Sequence, residues 1–179
     1  MKVRDLALCA MFTALMAICA WICIPLPDIA LTLQTFCLFL TLLLLGGKRG
    51  TWVICCYLLL GAVGLPVFSG FQGGIGVLAG PTGGYLLGFG LGAGIYWAIT
   101  ACLGKTDLVQ ILALAVCLFC SYAAGTLWFS RFYLAGGGSG SYLVIAAKCV
   151  LPYLIPDIIK LSLAYLLGKK LILILNRKL

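Results

Sequence analysis

Residues Leu6–Ile24, LALCAMFTALMAICAWICI, form a run with no charged side chain. As a helix rising about 1.5 Å per residue, the run is about 28 Å long, close to the roughly 30 Å hydrocarbon core of a bilayer. A secretory signal has a shorter apolar core and a small-residue cleavage site, so the run reads as a membrane-spanning helix. The basic start MKVRD precedes it, and Pro25 and Pro27 close it.

Five more apolar runs follow, at about Ala30–Leu45, Thr51–Leu65, Tyr85–Leu103, Leu108–Phe129 and Tyr142–Leu167. Turn signals separate them: GGKRG at 46–50, GKTD at 104–107 and AGGGSGS at 135–141. Of the 179 residues, 64% are hydrophobic and only 9% are charged. Globular chains average about 45–50% and about 25%. A soluble surface cannot be built from twelve basic and four acidic residues, so lipid must solvate most of the chain. Residues 1–179 are therefore expected to form one all-α, six-helix membrane domain, with no room for a separate soluble domain. No internal repeat is visible.

The net charge of +8 does not signal nucleic acid, because the basic residues sit at the ends of apolar runs. If both termini are cytoplasmic, Lys2, Arg4, Lys48, Arg49, Lys105, Lys169, Lys170, Arg177 and Lys178 are inside. Arg131 and Lys148 are then outside, with Lys160 in the membrane. An even number of spans and this bias agree with the positive-inside rule. The Pro25–Asp28 turn, the stretch Val67–Gly84 and the start of the last run then face outward.

Val67–Gly84, VFSGFQGGIGVLAGPTGG, is too broken for a regular helix and too apolar for a solvated linker. Non-helical backbone at membrane depth persists only where protein buries it or it lines a cavity. The stretch is expected to fold back over the bundle as a lid. Beneath it, Asp157 and Lys160 in the last run share one helix face at a spacing of three. Charges this deep cost roughly 2.5–3.5 kcal/mol each on insertion scales and mark functional sites by default. Pro156 and Pro152 are expected to open the helix beside them. Tyr85, Tyr122, Tyr153, Trp97, Trp128, Gln34, Gln72, Thr32 and Thr82 are candidates for flat walls and hydrogen bonds around a small molecule carrying donors and acceptors.

Catalysis is not expected. The chain has no His and no Glu, so neither a zinc triad nor a His or Glu base can be assembled. Gly46-Gly47-Lys48-Arg49-Gly50-Thr51 has the wrong spacing for a phosphate-binding loop, so ATP hydrolysis, if coupled, belongs to a partner. Cys117-x-x-Cys120 lies mid-run without a second pair and reads as packing, so neither a metal nor a cofactor is expected. On the first helix, Ala7, Ala10, Ala14 and Ala17 recur at three- and four-residue spacing. This small-residue pattern suits close approach of another helix, from the same chain or from a partner.

Gly61-Ala62-Val63-Gly64-Leu65-Pro66-Val67-Phe68, followed by Gly80-Pro81-Thr82-Gly83-Gly84-Tyr85-Leu86-Leu87-Gly88-Phe89, resembles the signature of the biotin-binding S-components of energy-coupling-factor transporters. Leu31-Thr32-Leu33-Gln34-Thr35-Phe36 and Pro156-Asp157-x-x-Lys160 are similar to two more stretches of that family. The resemblance implies high-affinity biotin binding near the outer face of a prokaryotic cell membrane. It also implies a complex with a transmembrane coupling subunit and two cytosolic ATPases, with the alanine face of the first helix as the docking surface. The implied ligand contacts are Asp157 and Lys160, with Tyr85, Gln34, Thr32, Phe71, Gln72, Gly73 and Gly83 around them. Gln72 lies in a part of the loop that varies in the family and has no fixed role. An S-component for riboflavin or thiamine would keep this architecture and change the ligand. An autonomous channel would need a polar stripe along several runs, whereas only the last carries buried charge.

Overall fold

The computed structural model of the chain describes residues 3–25, 29–138 and 141–177. Its elements are α1 (Val3–Trp21), a two-residue hairpin of β1 (Cys23–Ile24) and β2 (Leu31–Thr32), α2 (Gln34–Ala62), a 3-10 turn (Ser69–Phe71), α3 (Ile75–Ala79), α4 (Gly83–Cys102), α5 (Asp107–Ala135) and α6 (Tyr142–Arg177). Five of the helices are long and apolar enough to cross a membrane.

The second and third expected spans are the two arms of α2. Gly46, at φ +76° and ψ 167°, breaks the helix between them. A straight helix would hold residues 34 and 57 about 35 Å apart, yet Gln34 Nε2 lies 2.7 Å from the Tyr57 hydroxyl. The arms 34–45 and 47–62 therefore fold against each other, and only a residue that tolerates positive φ fits the corner. With this hairpin counted as two crossings, the bundle has six.

Several boundaries differ from the sequence expectation. The first helix stops at Trp21 rather than Ile24, and Cys23 and Ile24 instead pair antiparallel with Thr32 and Leu31. Pro25 explains this, since the residue before a proline is driven to extended backbone. The next helix starts at Gln34 rather than Ala30. The stretch 67–84 is more ordered than expected, because it contains the 3-10 turn, α3 and the start of α4. The fifth helix does not end near Phe129. It runs to Ala135, where Gly137 at φ +84° turns the chain. The sixth is not interrupted, and it continues through Pro152 and Pro156 to Arg177. Prolines inside membrane helices are tolerated because neighbouring groups re-satisfy the freed backbone. Lys2, Lys178 and the Leu26–Asp28 part of the outer turn lie outside the described residues.

Glycines let α4 and α5 approach closely. A Cβ on Gly84 would lie 2.2 Å from Trp128 Cβ, one on Gly88 2.8 Å from Ser121 Cα, and one on Gly92 2.7 Å from the Cys117 carbonyl. The pairing runs antiparallel, at the four-residue spacing of close membrane helix packing. Cys117 is buried in this seam, in keeping with a packing role.

Charge gathers at one end of the bundle. Asp5 meets Arg49 at 3.1 Å, and Asp107 pairs with Lys169. Lys105 Nζ reaches the Gly46 corner. The start of α1 and the last turns of α6 lie at this end. The β-hairpin, the 67–82 stretch and the α5–α6 connection lie at the other.

Candidate functional site

Beneath the 67–82 stretch, at the end away from the charged turns, lies a cavity of about 340 Å³. Small-molecule pockets span about 300–1,000 Å³. The β-hairpin region contributes Cys23, Pro25 and Ile29–Thr32; α2 contributes Gln34 and Thr35; α4 contributes Tyr85, Leu86 and Phe89. α5 adds Leu118, Ser121 and Tyr122, and α6 adds Cys149, Tyr153, Asp157 and Lys160. Phe68, Ser69, Gly70, Gln72, Val77 and Thr82 form the roof.

Asp157 and Lys160 are 4% and 8% exposed and form an ion pair at 2.8 Å. A buried pair is tolerated only when its remaining hydrogen-bonding capacity is met. Here Asp157 Oδ1 accepts from Thr35 Oγ1 at 2.8 Å and from Lys160 Nζ, while Oδ2 accepts from the Tyr122 hydroxyl at 2.5 Å. Lys160 Nζ also donates to the Thr32 carbonyl at 2.7 Å and to Thr35 Oγ1 at 3.3 Å. The three ammonium protons are thus engaged, the contact to Thr35 being the longest. Asp157, with about four lone-pair sites on two oxygens, retains room for one further N–H on Oδ2. Thr35 joins the pair by donating to one partner and accepting from the other.

Three helices pin the roof. From α1, Trp21 Nε1 donates to the Pro66 carbonyl at 2.9 Å, and its ring stacks on Phe71 at 4.8 Å. From α2, the Tyr57 hydroxyl donates to the Val67 carbonyl at 2.9 Å, and Gly61 leaves room for the Phe68 ring. From α5, Trp128 Nε1 donates to the Gly80 carbonyl at 2.9 Å. Within the roof, Phe68 N–H bonds the Gln72 carbonyl, and Gly74 N–H ties the roof to the Gly61 carbonyl of α2. The expected lid is therefore a folded cover over the cavity.

Of the residues singled out in the sequence, the structure brings Asp157, Lys160, Tyr85, Gln34, Thr32 and Gln72 to the cavity, together with Tyr122, Tyr153 and Thr82. Phe71, Gly73 and Gly83 do not line it. Phe71 is 64% exposed and clamps the lid from outside through Trp21. Gly73 and Gly83 are construction points, since a Cβ there would strike the carbonyls of Leu65 and Leu78 at 2.2 and 1.8 Å. Trp97 packs on Gly47, and Trp128 serves the lid from outside the cavity wall. On α1, Ala7, Ala10 and Ala14 are exposed on one face, but Ala17 is buried in the core beside Met16 and Ala20 and is no part of that surface.

Sequence reading missed Thr35, Tyr57 and Phe68. Thr35 adjoins Gln34 in an otherwise apolar run, a polar pair that signals a site. Nothing local marks Tyr57, whose role comes from its contact with the lid, and the stretch Gly61–Phe68 contains Phe68 without singling it out.

The BioY family model matches residues 1–177. The probable biotin transporter BioY of Pyrococcus horikoshii is 37% identical over 171 residues, covering 96% of this chain and 98% of that protein. The biotin transporter BioY2 of Lactococcus lactis subsp. cremoris is 34% identical over 172 residues, covering 96% and 91%. The crystal structure of the S-component for biotin from an ECF-type ABC transporter shares the fold, with a TM-score of 0.84, 24% identity and coverage of 95% of this chain and 91% of that one.

Proposed function

The chain belongs to the BioY family, and from that membership we propose that it binds biotin in the lidded cavity and delivers it across the membrane as the S-component of an energy-coupling-factor importer. The single observation that carries the reading is the buried Asp157–Lys160 pair in the wall of a cavity of small-molecule size. Biotin presents a cyclic urea whose N–H and C=O lie side by side on one edge. A carboxylate acceptor and an ammonium donor held side by side as an ion pair complement that edge. Asp157 Oδ2 takes the ureido N–H, and Lys160 turns its longest bond, the one to Thr35, toward the ureido oxygen. Both contacts are charge-assisted, hence stronger than neutral ones. Tyr85, Tyr122 and Tyr153 wall the apolar ring system.

The protein acts as a transport subunit and not as an enzyme. Energy for uptake comes in this reading from two cytosolic ATPases reached through a transmembrane coupling subunit, which docks on Ala7, Ala10 and Ala14. The charged end faces the cytoplasm of a prokaryotic cell, as the positive-inside rule requires, and the lid faces out. A vitamin panel tests the ligand. Biotin is expected to raise the melting temperature of the detergent-purified chain, while riboflavin and thiamine leave it unchanged. Stabilisation by either of those instead of biotin would reassign the site.

A further inference from the structure

Four polar groups stand in single file between the cavity wall and the lid. Thr32 Oγ1 is 3.0 Å from Gln34 Oε1, Gln34 Nε2 is 2.7 Å from the Tyr57 hydroxyl, and that hydroxyl is 2.9 Å from the Val67 carbonyl. Elementary donor and acceptor rules fix the direction of the file. A carbonyl oxygen only accepts, so Tyr57 must donate to Val67. The hydroxyl then has only lone pairs to offer Gln34, so the amide must turn its nitrogen toward Tyr57. That turns Oε1 toward Thr32, whose hydroxyl must donate. One carbonyl of the lid therefore orients every hydrogen bond back to the β-hairpin.

Gln34 and Thr32 line the cavity, whereas Tyr57 does not. Tyr57 is fully buried, with its ring edge-on to the roof residue Phe68 at 5.5 Å. The second hydrogen of Gln34 Nε2 has no partner among the described residues, which leaves the amide a donor for a guest.

We propose that Tyr57 is a positioning residue whose hydroxyl ties ligand contact at Gln34 to closure of the lid at Val67. The proposal rests on the biotin reading above. A ligand oxygen that accepts the free N–H of Gln34 polarises the amide and strengthens its bond to Tyr57, and through Tyr57 the bond to Val67, because serial hydrogen bonds reinforce one another. When the lid lifts, the Tyr57 proton loses its acceptor and Gln34 is free to turn away. Occupancy and closure thus favour each other.

Tyr57→Phe keeps the ring and its contact with Phe68 but removes the proton that reaches the lid. Chase of labelled biotin from the full-length chain in detergent is expected to show dissociation about tenfold faster than from the unaltered protein, with association nearly unchanged. Hydrogen exchange is expected to rise at Phe68, whose amide bonds within the lid, and at Gly74, whose amide ties the lid to α2. In a Gln34→Met background, where the file is already cut, Tyr57→Phe should add nothing to the dissociation rate. Unchanged dissociation, or equal acceleration in both backgrounds, would reduce Tyr57 to a packing residue and overturn the proposal. If Tyr57→Phe does not fold, Thr32→Val cuts the other end. It is expected to speed dissociation and lid exchange together, and no change in either overturns the proposal as well. Failure of the unaltered chain to bind biotin would remove the functional reading itself, a result distinct from normal binding with a silent Tyr57→Phe.

Discussion

Asp157 and Lys160 each complete the other's hydrogen bonding, and Thr35, Tyr122 and the Thr32 carbonyl fill most of what remains. A ligand can therefore add one N–H to Asp157 Oδ2, whereas at Lys160 it must replace the contact to Thr35. Asp157→Asn keeps an oxygen for Thr35 and Lys160 and should leave the bundle folded. It removes the charge and sets an NH₂ where the ureido N–H is expected, so calorimetry in detergent should show biotin affinity reduced by more than tenfold, which is more than about 1.4 kcal/mol. Affinity equal to the unaltered chain would take Asp157 out of the site. The spacing of the two charges makes them legible in the sequence, since a three-residue offset within an apolar run has one structural meaning. Their partners are not legible: Thr35 and Asp157 are 122 positions apart. Phe71, Gly73 and Gly83 show the converse. A motif draws notice to residues that shape the lid, and only geometry separates those that build a cover from those that touch what lies beneath it.

Among the elements, α1 has two faces with different work. Its inner face packs Phe12, Met16, Ala17 and Ala20 into the core, while Ala7, Ala10 and Ala14 remain exposed beside Leu6, Met11 and Ile18. At its far end Trp21 holds the lid through Pro66 and Phe71. The helix thus joins the proposed docking surface to the cover of the cavity. Ala10→Trp projects a large ring from the exposed face without touching the core. It should retain biotin binding and abolish copurification with the coupling subunit and ATPases, and a complex recovered intact would move the docking surface elsewhere. Helix existence was readable from apolar run length, but helix ends were not. Pro25 extended the backbone before it and shortened α1, and the prolines of α6 failed to break a helix that tertiary packing sustains. Gly46 is marked in sequence as a turn, and there the hairpin appears as expected.

Across the whole molecule, the division of polarity sets what the bundle can do. Leu and Ile side chains exposed along α4, α5 and α6 meet lipid, which is why 64% of the chain is hydrophobic. Surface charge gathers at one end and the cavity opens at the other, a separation already visible when the basic residues are placed on alternating spans. α6, about 54 Å long at 1.5 Å per residue, exceeds the roughly 30 Å apolar layer and must tilt or protrude. A lidded site around Asp157 and Lys160 was legible in the sequence, but its full lining was not, because the walls come from the β-hairpin, α2, α4, α5, α6 and the lid, brought together only by the fold. A structure determined with biotin tests the assignment most directly. The ureido ring should lie beneath Val67–Gly84, with its N–H and oxygen within hydrogen-bonding distance of Asp157 and Lys160, and biotin bound elsewhere with that pair untouched would contradict it.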